Sequence, residues 1–222
     1  MLFDLDGTLL DTLEDLATAM NEALAGWGLP VHSVGEYRYF VGEGVAQLVR
    51  YAAPDGTGEP TLRALQGEMR AHYEQGWARH TRPYAGIPEL LDELAGRGLQ
   101  LAVLSNKPEE FTRDMVAHFL ARWRFAAVVG AGSRFPRKPD PTAALAIAAD
   151  LKLRPEQFLY LGDTAIDMRT AVGAGMFPAG ALWGFRDADE LRLSGARALL
   201  REPLELVPLV EGDAAASYLA GR

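Results

Sequence analysis

The chain opens with two aspartates, Asp4 and Asp6, that follow a short apolar run in the segment MLFDLDGTLL. Alternate residues of a strand point to the same side, so both carboxylates are expected to converge at the end of a first strand, Met1–Leu5. Two close carboxylates resist joint ionisation unless a cation joins them or one keeps a proton. A carboxylate bound to a cation can act as a nucleophile, and a carboxyl group that keeps its proton can act as a general acid. The alternative interpretation is a solvated Asp–Gly turn.

A second pair of acids follows another apolar run, in FLYLGDTAIDM. Asp163 comes directly after the predicted strand, and Asp167 lies one turn along the next predicted helix. In these positions Asp163 could reach a metal ion held by Asp4, with Asp167 behind it. The alternative is that Asp163 only caps the helix, but capping explains one acid and not the second.

Polar side chains also follow a third strand and precede another helix. Ser105 and Asn106 end the run LAVLSN, and their hydrogen-bonding groups suit phosphate oxygens. Lys138, in RKPDP, could neutralise a phosphate or a nucleophile as a point charge. The alternatives are that Ser105 and Asn106 start a helix and that Lys138 is a solvated surface lysine. Its neighbour Arg137 is predicted to face solvent.

The apolar pattern along the chain indicates which elements position these residues. Up to about His80 apolar residues recur at helical spacing, whereas from Tyr84 strand-like runs alternate with helical ones. This alternation predicts a parallel sheet with helices on both faces, and ligands then bind at the carboxyl ends of the strands. We therefore predict an α/β core of residues 1–11 and 83–222 with a helical cap of residues 12–82.

Composition and charge exclude several classes of protein. The formal net charge is −8, which argues against a broad nucleic-acid surface, and no apolar run approaches the ~20 residues of a membrane span. Without cysteine the chain has no disulfides or thiolate metal sites, and no secretory signal peptide is visible. Walker-type glycine loops, nucleophile elbows and zinc-type histidine spacings are missing. We expect a cytoplasmic protein without nucleic-acid or membrane partners, and either a monomer or a homodimer fits the sequence.

Taken in order, the segments DLDGT, SN, KP and GDTAID resemble the four motifs of the haloacid dehalogenase-like hydrolase superfamily. The resemblance implies a Rossmann-like parallel sheet with an inserted α-helical cap. It further implies that Asp4 is the nucleophile that takes the phosphoryl group, and that Asp6 is the acid that protonates the leaving oxygen and later activates water. Ser105 and Lys138 match the residues that hold the phosphate, and Asn106 lies beside them.

The same resemblance implies a Mg²⁺ cofactor. Asp163 matches a direct ligand, together with Asp4 and the backbone carbonyl of Asp6, and Asp167 matches an outer acid that holds the metal site in place. The superfamily's dehalogenases do not use the second acid and magnesium. Asp6, Asp163 and Asp167 therefore favour a phosphatase, and a sugar-phosphate mutase remains an alternative.

The sequence of the predicted cap narrows the range of possible substrates. The segments DTLEDLATAMNEALAGWGLP, VGEGVAQLV and SNKPEEFT are similar to those of the superfamily members that hydrolyse 2-phosphoglycolate, which is therefore the expected substrate. Gly42 and Gly44 precede a helix whose free N–H groups could bind a small carboxylate, and Arg38 is the alternative. The two glycines could also form only a turn between helices. A sugar phosphate, a nucleotide or pyrophosphate is the alternative substrate, and a non-catalytic regulatory protein is the alternative class.

Overall fold

The computed structural model describes residues 1–132 and 134–211. Six of its strands form one parallel sheet in the order β5-β4-β1-β6-β7-β8, and β2 and β3 form a separate antiparallel pair. The strands are β1 (Leu2–Phe3), β2 (Leu10–Asp11), β3 (Arg82–Pro83), β4 (Leu101–Pro108), β5 (Phe125–Ala131), β6 (Leu159–Gly162), β7 (Phe177–Ala181) and β8 (Ala198–Leu200).

Helices fill the connections between the strands. They are α1 (Leu13–Gly26), α2 (Tyr37–Phe40), α3 (Val45–Ala52), α4 (Glu59–Gly76), α5 (Ile87–Gly96), α6 (Glu109–Phe119), α7 (Thr142–Asp150), α8 (Ala165–Ala174), α9 (Ala188–Leu193) and α10 (Val207–Glu211). Short 3₁₀ helices lie at Val34–Glu36, Pro155–Gln157 and Pro203–Leu206. Within the described ranges, no helix combines the length and the apolar character that a bilayer span needs.

The sheet forms because its central strands are apolar on both faces, as parallel strands covered by helices require. Leu101–Leu104 of β4 are all buried, and so are both residues of β1. Helix α5 packs its leucines on one face of the sheet, whereas α7 and α8 pack small apolar residues on the other. The predicted α/β fold with a parallel sheet is therefore confirmed. Strand β1 lies between β4 and β6, so the order of the strands reverses there and ligands are expected at its carboxyl end.

The segment between β2 and β3, residues 12–81, is helical and is called the insertion below. Helices α1 and α4 pack their apolar faces together, and Phe111 and Phe185 from outside the insertion join this second cluster. The β2–β3 pair lies at both ends of the insertion. The division into a cap of residues 12–82 and a core of residues 1–11 and 83–222 stays a prediction, and residues 212–222 lie outside the described part.

The first strand is shorter than the predicted Met1–Leu5. The sheet pairing ends just after β1, where the Asp4 N–H donates to the Leu161 carbonyl at 2.9 Å. The chain then turns, and Gly7 adopts a φ of +82°. A Cβ on Gly7 would lie 2.2 Å from Asp163 Oδ2, so glycine lets the turn pass beside that carboxylate. The two-residue strands β2 and β3 were not predicted, because so short a pairing leaves no periodic pattern.

Candidate active site

Three buried aspartates meet at the carboxyl ends of the central strands: Asp4, Asp163 and Asp167 each offer a carboxylate oxygen within 4.8 Å of the others. Asp4 follows β1 and Asp163 follows β6, its neighbour in the sheet. Asp167 lies in the first turn of α8. The sheet therefore brings together acids that are about 160 residues apart in sequence, as the strand ends predict.

Asp163 is held by two donors from other parts of the chain. Its Oδ1 accepts from the Thr8 hydroxyl at 2.9 Å, and its Oδ2 accepts from the Phe185 N–H at 2.8 Å. The alternative that Asp163 caps α8 is wrong, because the N-cap residue is Thr164. The Asp163 side chain does not cap α8 and lies close to Asp4 and Asp167 instead.

Asp167 has a full set of hydrogen-bond donors. Its Oδ1 accepts from Lys138 Nζ at 2.7 Å and from the Tyr160 hydroxyl at 3.2 Å. Its Oδ2 accepts from the Thr164 hydroxyl at 2.6 Å and the Thr164 N–H at 3.1 Å. A carboxylate with four donors suits a supporting position better than direct contact with a ligand.

Lys138 lies between two of the acids. Its Nζ is 2.8 Å from Asp4 Oδ1 and 2.7 Å from Asp167 Oδ1, and it donates to the Leu104 carbonyl at 3.1 Å. Burial opposes the charge, but the charges of Asp167 and Asp4 outweigh it and raise the pKa of Lys138 well above its usual range. Its ammonium donates hydrogen bonds to Asp167 and the Leu104 carbonyl and is in ionic contact with Asp4, so Lys138 offsets part of the charge of the acids. The alternative of a solvated surface lysine is wrong.

Asp4 carries an unsatisfied oxygen. Oδ1 is buried and, despite its short ionic contact with Lys138, has no hydrogen-bond partner. Burial, followed by the charge of Asp167, raises the pKa of Asp4 to about 7, although Lys138 opposes this shift. Burial and the charges of Asp167 and Asp4 likewise raise the pKa of Asp163 well above its usual range. Burial and mutual repulsion therefore both disfavour the charged forms of Asp4 and Asp163.

Asp6 lines the same cavity as Asp4 and pairs with a residue that the sequence analysis missed. Lys107 Nζ lies 3.0 Å from Asp6 Oδ1 and 3.2 Å from Oδ2, and the lysine side chain is only 3% exposed. The same ammonium lies 4.7 Å from the centre of the Tyr73 ring of the insertion. The signal was available, because Lys107 stands two residues after Ser105 on β4 and therefore shares its side.

The two polar residues at the end of LAVLSN have different surroundings. Ser105 lines the cavity, and its Oγ accepts from the Lys107 N–H at 3.3 Å. The Asn106 amide donates to the carbonyls of Gly42 and Lys138 at 3.1 and 3.0 Å, and its Oδ1 accepts from the Lys138 N–H at 2.9 Å. Asn106 thus joins β4 to the insertion and to the Lys138 loop. Phosphate binding by Ser105 and Asn106 stays a prediction.

A cavity of about 660 Å³ lies between the insertion and the sheet, with Asp4 and Asp6 in its lining. Gly42 and Gly44 also line it, as predicted for a substrate site, and binding of substrate by them stays a prediction. Gly44 precedes α3 with a φ of +89°, where a side chain would strain the backbone. Helix α4 contributes one face at helical spacing, with Arg63, Gln66, Gly67, Arg70 and Tyr73.

Two arginines differ from the expectations. Arg38 was the alternative residue for meeting the substrate, but its guanidinium donates to the Gly184 carbonyl, and the cavity lining found among the described residues does not include it. Arg137 was predicted to face solvent only. It is exposed but lines the cavity, with Nη1 at 3.2 Å from the place of a Cβ on Gly44. Both differences arise because the position of the insertion on the sheet is not encoded in local sequence patterns.

A protein-family model described as haloacid dehalogenase-like hydrolase matches residues 1–181. The chain belongs to this family. A phosphoglycolate phosphatase of Aquifex aeolicus (strain VF5) is 34% identical over 211 residues, which are 95% of this chain and 96% of that protein. A phosphoglycolate phosphatase of Cereibacter sphaeroides (strain ATCC 17029 / ATH 2.4.9) is 36% identical over 191 residues, 85% of this chain and 87% of that protein.

Solved structures agree with this assignment. The crystal structure of a predicted phosphoglycolate phosphatase from Haemophilus somnus 129PT has a TM-score of 0.87 and 25% identity, and the match covers 95% of this chain and 96% of that one. The protein is therefore an enzyme of the haloacid dehalogenase-like hydrolase family, a phosphoric monoester hydrolase. The resemblance seen in its four motifs is confirmed.

In this hydrolase the acids fit a hard divalent cation. Carboxylate oxygens are the ligands that Mg²⁺ prefers. Burial and the charges of neighbouring acids raise the pKa of Asp4 and Asp163, and a bound cation would oppose both effects. Asp4 Oδ1 is in ionic contact with Lys138 but accepts no hydrogen bond, so it can take a metal ion as a further partner. Asp167, with its four donors, fits an outer position that orients the site.

Two arginines of the hydrolase join the insertion to the sheet reciprocally. Arg38 of α2 donates to the Gly184 carbonyl, and Arg186 donates to the carbonyls of Arg38, Tyr39 and, at 3.0 Å, Val41. We call Arg38, Gly184 and Arg186 the arginine latch. It adjoins the acids, because the N–H of Phe185, which lies between Gly184 and Arg186, is a donor to Asp163.

We expect Arg186→Met to loosen the insertion and to lower kcat/KM about tenfold on any ester, because three backbone acceptors lose a charged donor. Hydrogen exchange of the amides in residues 37–42 should become faster. The matched control is Arg192→Met, since Arg192 lies on α9 in an exposed pair with Asp189. Unchanged exchange together with unchanged kcat/KM would show that the latch does not hold the insertion.

We also expect the metal-free hydrolase to lose stability as pH rises. The pKa of Asp4 is about 7 in the folded chain against an ordinary 3.8, so the folded state holds this proton more tightly than the unfolded state. The contribution of Asp4 is therefore complete below about pH 4 and is lost as pH rises through about 7. Melting temperatures in chelator between about pH 5 and about pH 8 should fall, and the gain from added Mg²⁺ should grow. A Mg²⁺ gain independent of pH would contradict this.

Proposed function

We propose that this hydrolase removes the phosphate of 2-phosphoglycolate with Mg²⁺ as cofactor, through an aspartyl phosphate on Asp4. The observation that carries the chemistry is the buried Asp4 oxygen without a hydrogen-bond partner, beside Lys138 and two further acids. The substrate is proposed from the names of the relatives at 34% and 36% identity. Cytoplasmic location stays a prediction from composition.

In the first step an oxygen of Asp4 attacks phosphorus and the bond from phosphorus to the ester oxygen breaks. The ester oxygen takes a proton from Asp6, which lines the same cavity, and leaves as the hydroxyl of glycolate. Lys138 holds the nucleophile in place from 2.8 Å and offsets part of the charge of the acids. Ser105 lies at the end of β4 where its hydroxyl can donate to a phosphate oxygen.

In the second step Asp6, now a carboxylate, takes a proton from a water molecule, whose oxygen attacks phosphorus. The bond between phosphorus and Asp4 breaks, and inorganic phosphate and the original Asp4 are released. Mg²⁺, held by Asp4, Asp163 and the Asp6 carbonyl, would supply positive charge that offsets repulsion between the anionic nucleophile and the phosphate. The insertion forms one side of the cavity.

A larger phosphate ester is the second candidate substrate. The cavity has a volume of about 660 Å³, which is larger than the volume of a two-carbon phosphate ester. The exposed Arg63 and Arg137 line it. A sugar phosphate or a nucleotide could occupy this space, and a mutase would share the first step.

Phosphate release from a panel of esters, with Mg²⁺ and with chelator, tests the proposal. The panel contains 2-phosphoglycolate, ethyl phosphate, an aryl phosphate, a hexose phosphate, a nucleoside monophosphate and pyrophosphate. We expect kcat/KM to be highest for 2-phosphoglycolate, by about tenfold or more, and no release in chelator. An equal or higher kcat/KM for another ester would overturn 2-phosphoglycolate as the proposed substrate, while the assignment as a phosphatase would stand. Formation of a phosphorylated isomer from a sugar phosphate would favour the mutase.

A further inference from the structure

The proposed reaction constrains where the carboxylate of the substrate lies. In 2-phosphoglycolate only one methylene separates the carboxylate from the ester oxygen. That oxygen must approach Asp6 to receive its proton, while phosphorus faces Asp4. The carboxylate is therefore confined to the neighbourhood of Asp6, and a cation that binds it must lie there too.

Several cations near the cavity are already engaged. Lys138 donates hydrogen bonds to the Leu104 carbonyl and Asp167 and is in ionic contact with Asp4 at 2.8 Å. Arg70 of α4 pairs with Glu74 at 2.8 Å and with Glu110 at 2.7 Å. Arg38 belongs to the arginine latch and donates to the Gly184 carbonyl. None of these ammonium or guanidinium groups can bind a carboxylate beside Asp6 without losing its present partners.

Two further arginines line the cavity but are exposed. They are Arg63 of α4 and Arg137, which precedes Lys138. An ionic contact at an exposed position is screened by water and salt and contributes little binding free energy. These two suit the mouth of the cavity better than its inner end.

Lys107 lies at the required place. Its ammonium is 3.0 Å from Asp6 Oδ1, its side chain is 3% exposed, and it lines the cavity together with Asp4 and Asp6. Its ammonium contacts both carboxylate oxygens of Asp6 and the face of the Tyr73 ring. In the proposed first step Asp6 is protonated on one oxygen, and the ammonium hydrogen that faced that oxygen becomes available to the substrate.

We infer that Lys107 is the specificity-determining residue that binds the substrate carboxylate, and that it selects phosphate esters with a carboxylate on the carbon that bears the ester oxygen. This inference rests on the proposed function and names a role that goes beyond it. In the first step Asp6 carries a proton, so the substrate carboxylate is then the anion beside the ammonium. A buried charge-assisted hydrogen bond of this kind is among the stronger ones.

Tyr73 makes this recognition depend on the insertion. It belongs to α4, is 4% exposed, and places its ring 4.7 Å from Lys107 Nζ. The ring excludes water from the ammonium, which strengthens an ionic contact made there. The carboxylate pocket is therefore built by β4 from below and by α4 from above.

The test compares two esters of similar size, 2-phosphoglycolate and ethyl phosphate, which lacks the carboxylate. In Lys107→Met we expect the ratio of their kcat/KM values to fall about tenfold to a hundredfold, whatever loss both esters share through Asp6. Lys107→Arg keeps the charge and should recover part of the ratio. Arg63→Met is the matched control and should keep the wild-type ratio. In the wild type, 3-(phosphonooxy)propanoate should lose most of the advantage, because its carboxylate is one carbon further away.

Binding without turnover gives a second readout. In the Asp4→Asn background with Mg²⁺ present, calorimetry should show that Lys107→Met weakens 2-phosphoglycolate about tenfold or more relative to ethyl phosphate. A thermal melt shows whether each variant is folded, and this measurement needs no catalysis.

The outcomes separate the inference from the proposed function. If the wild type does not prefer 2-phosphoglycolate to ethyl phosphate, the proposed substrate fails. If the wild type has the preference and Lys107→Met keeps it in both turnover and binding, Lys107 acts only on Asp6 and the inference is overturned. The group that binds the substrate carboxylate would then be sought among the backbone N–H groups at the start of α3. If Arg63→Met lowers the ratio instead, the exposed arginine binds the carboxylate and the inference is also overturned.

Discussion

The Asp4→Asn variant is expected to fold normally and to lose at least about a thousandfold in kcat on every phosphate ester, because an amide cannot attack phosphorus or carry the phosphoryl group. The amide has nearly the shape of the carboxylate, so the packing around β1 should persist. It also removes a buried charge from a cluster in which burial and mutual repulsion disfavour the charged forms. In chelator the variant should therefore melt at a higher temperature than the wild type.

Phosphate release and melting curves check both parts of this expectation, and Asp11→Asn provides the matched control. Asp11 lies seven residues along the chain, in the β2–β3 pair, where it contacts Arg82 at 3.6 Å. That exchange should leave turnover close to wild type. Substantial turnover by purified Asp4→Asn would remove Asp4 from the role of nucleophile. A phosphoryl adduct trapped on another residue would do so as well.

Removal of the metal is expected to have an effect of similar size. Chelator should abolish turnover and Mg²⁺ should restore it, while Ca²⁺ should inhibit because it takes more ligands at longer distances. Asp163→Asn should raise the Mg²⁺ concentration for half-maximal activity by about tenfold or more, since it removes one ligand charge. Lys138→Met should lower kcat without such a rise, because it removes a positive charge from beside the acids.

Titrations of activity with Mg²⁺ distinguish these two variants. In Asp163→Asn the amide oxygen can still accept from the Phe185 N–H, and the amide nitrogen can donate to the Thr8 hydroxyl oxygen, so the variant should stay folded. An equal rise in the half-maximal Mg²⁺ concentration for both variants would contradict the role of Asp163 as a ligand. Full activity in chelator would contradict the metal requirement itself.

The positions of the acids could be predicted because they depend on strand ends. Asp4 and Asp163 each follow an apolar run, and alternating strands and helices place the ends of β1 and β6 side by side. Lys138 was predicted for a related reason, since it precedes a helix that returns to the sheet. In these cases local periodicity and the topology of parallel sheets were sufficient.

The contacts made across the cavity could not be predicted in the same way. The pairing of Lys107 with Asp6 depends on the tight turn after β1, and its contact with Tyr73 depends on how α4 lies over β4. The engagement of Arg38 and the placement of Arg137 at the cavity depend on the same packing. Such contacts join segments far apart in sequence, and no spacing within one segment encodes them.

The arginine latch has a consequence for how this enzyme could change during evolution or in the laboratory. Arg186 contacts backbone carbonyls of residues 38, 39 and 41, and every amino acid supplies that group. Mutations of the side chains at positions 39 and 41, or on the cavity face of α4, need not remove these acceptors. Side chains of the insertion could therefore change, and with them the range of substrates. The contact between the insertion and Arg186 would be kept.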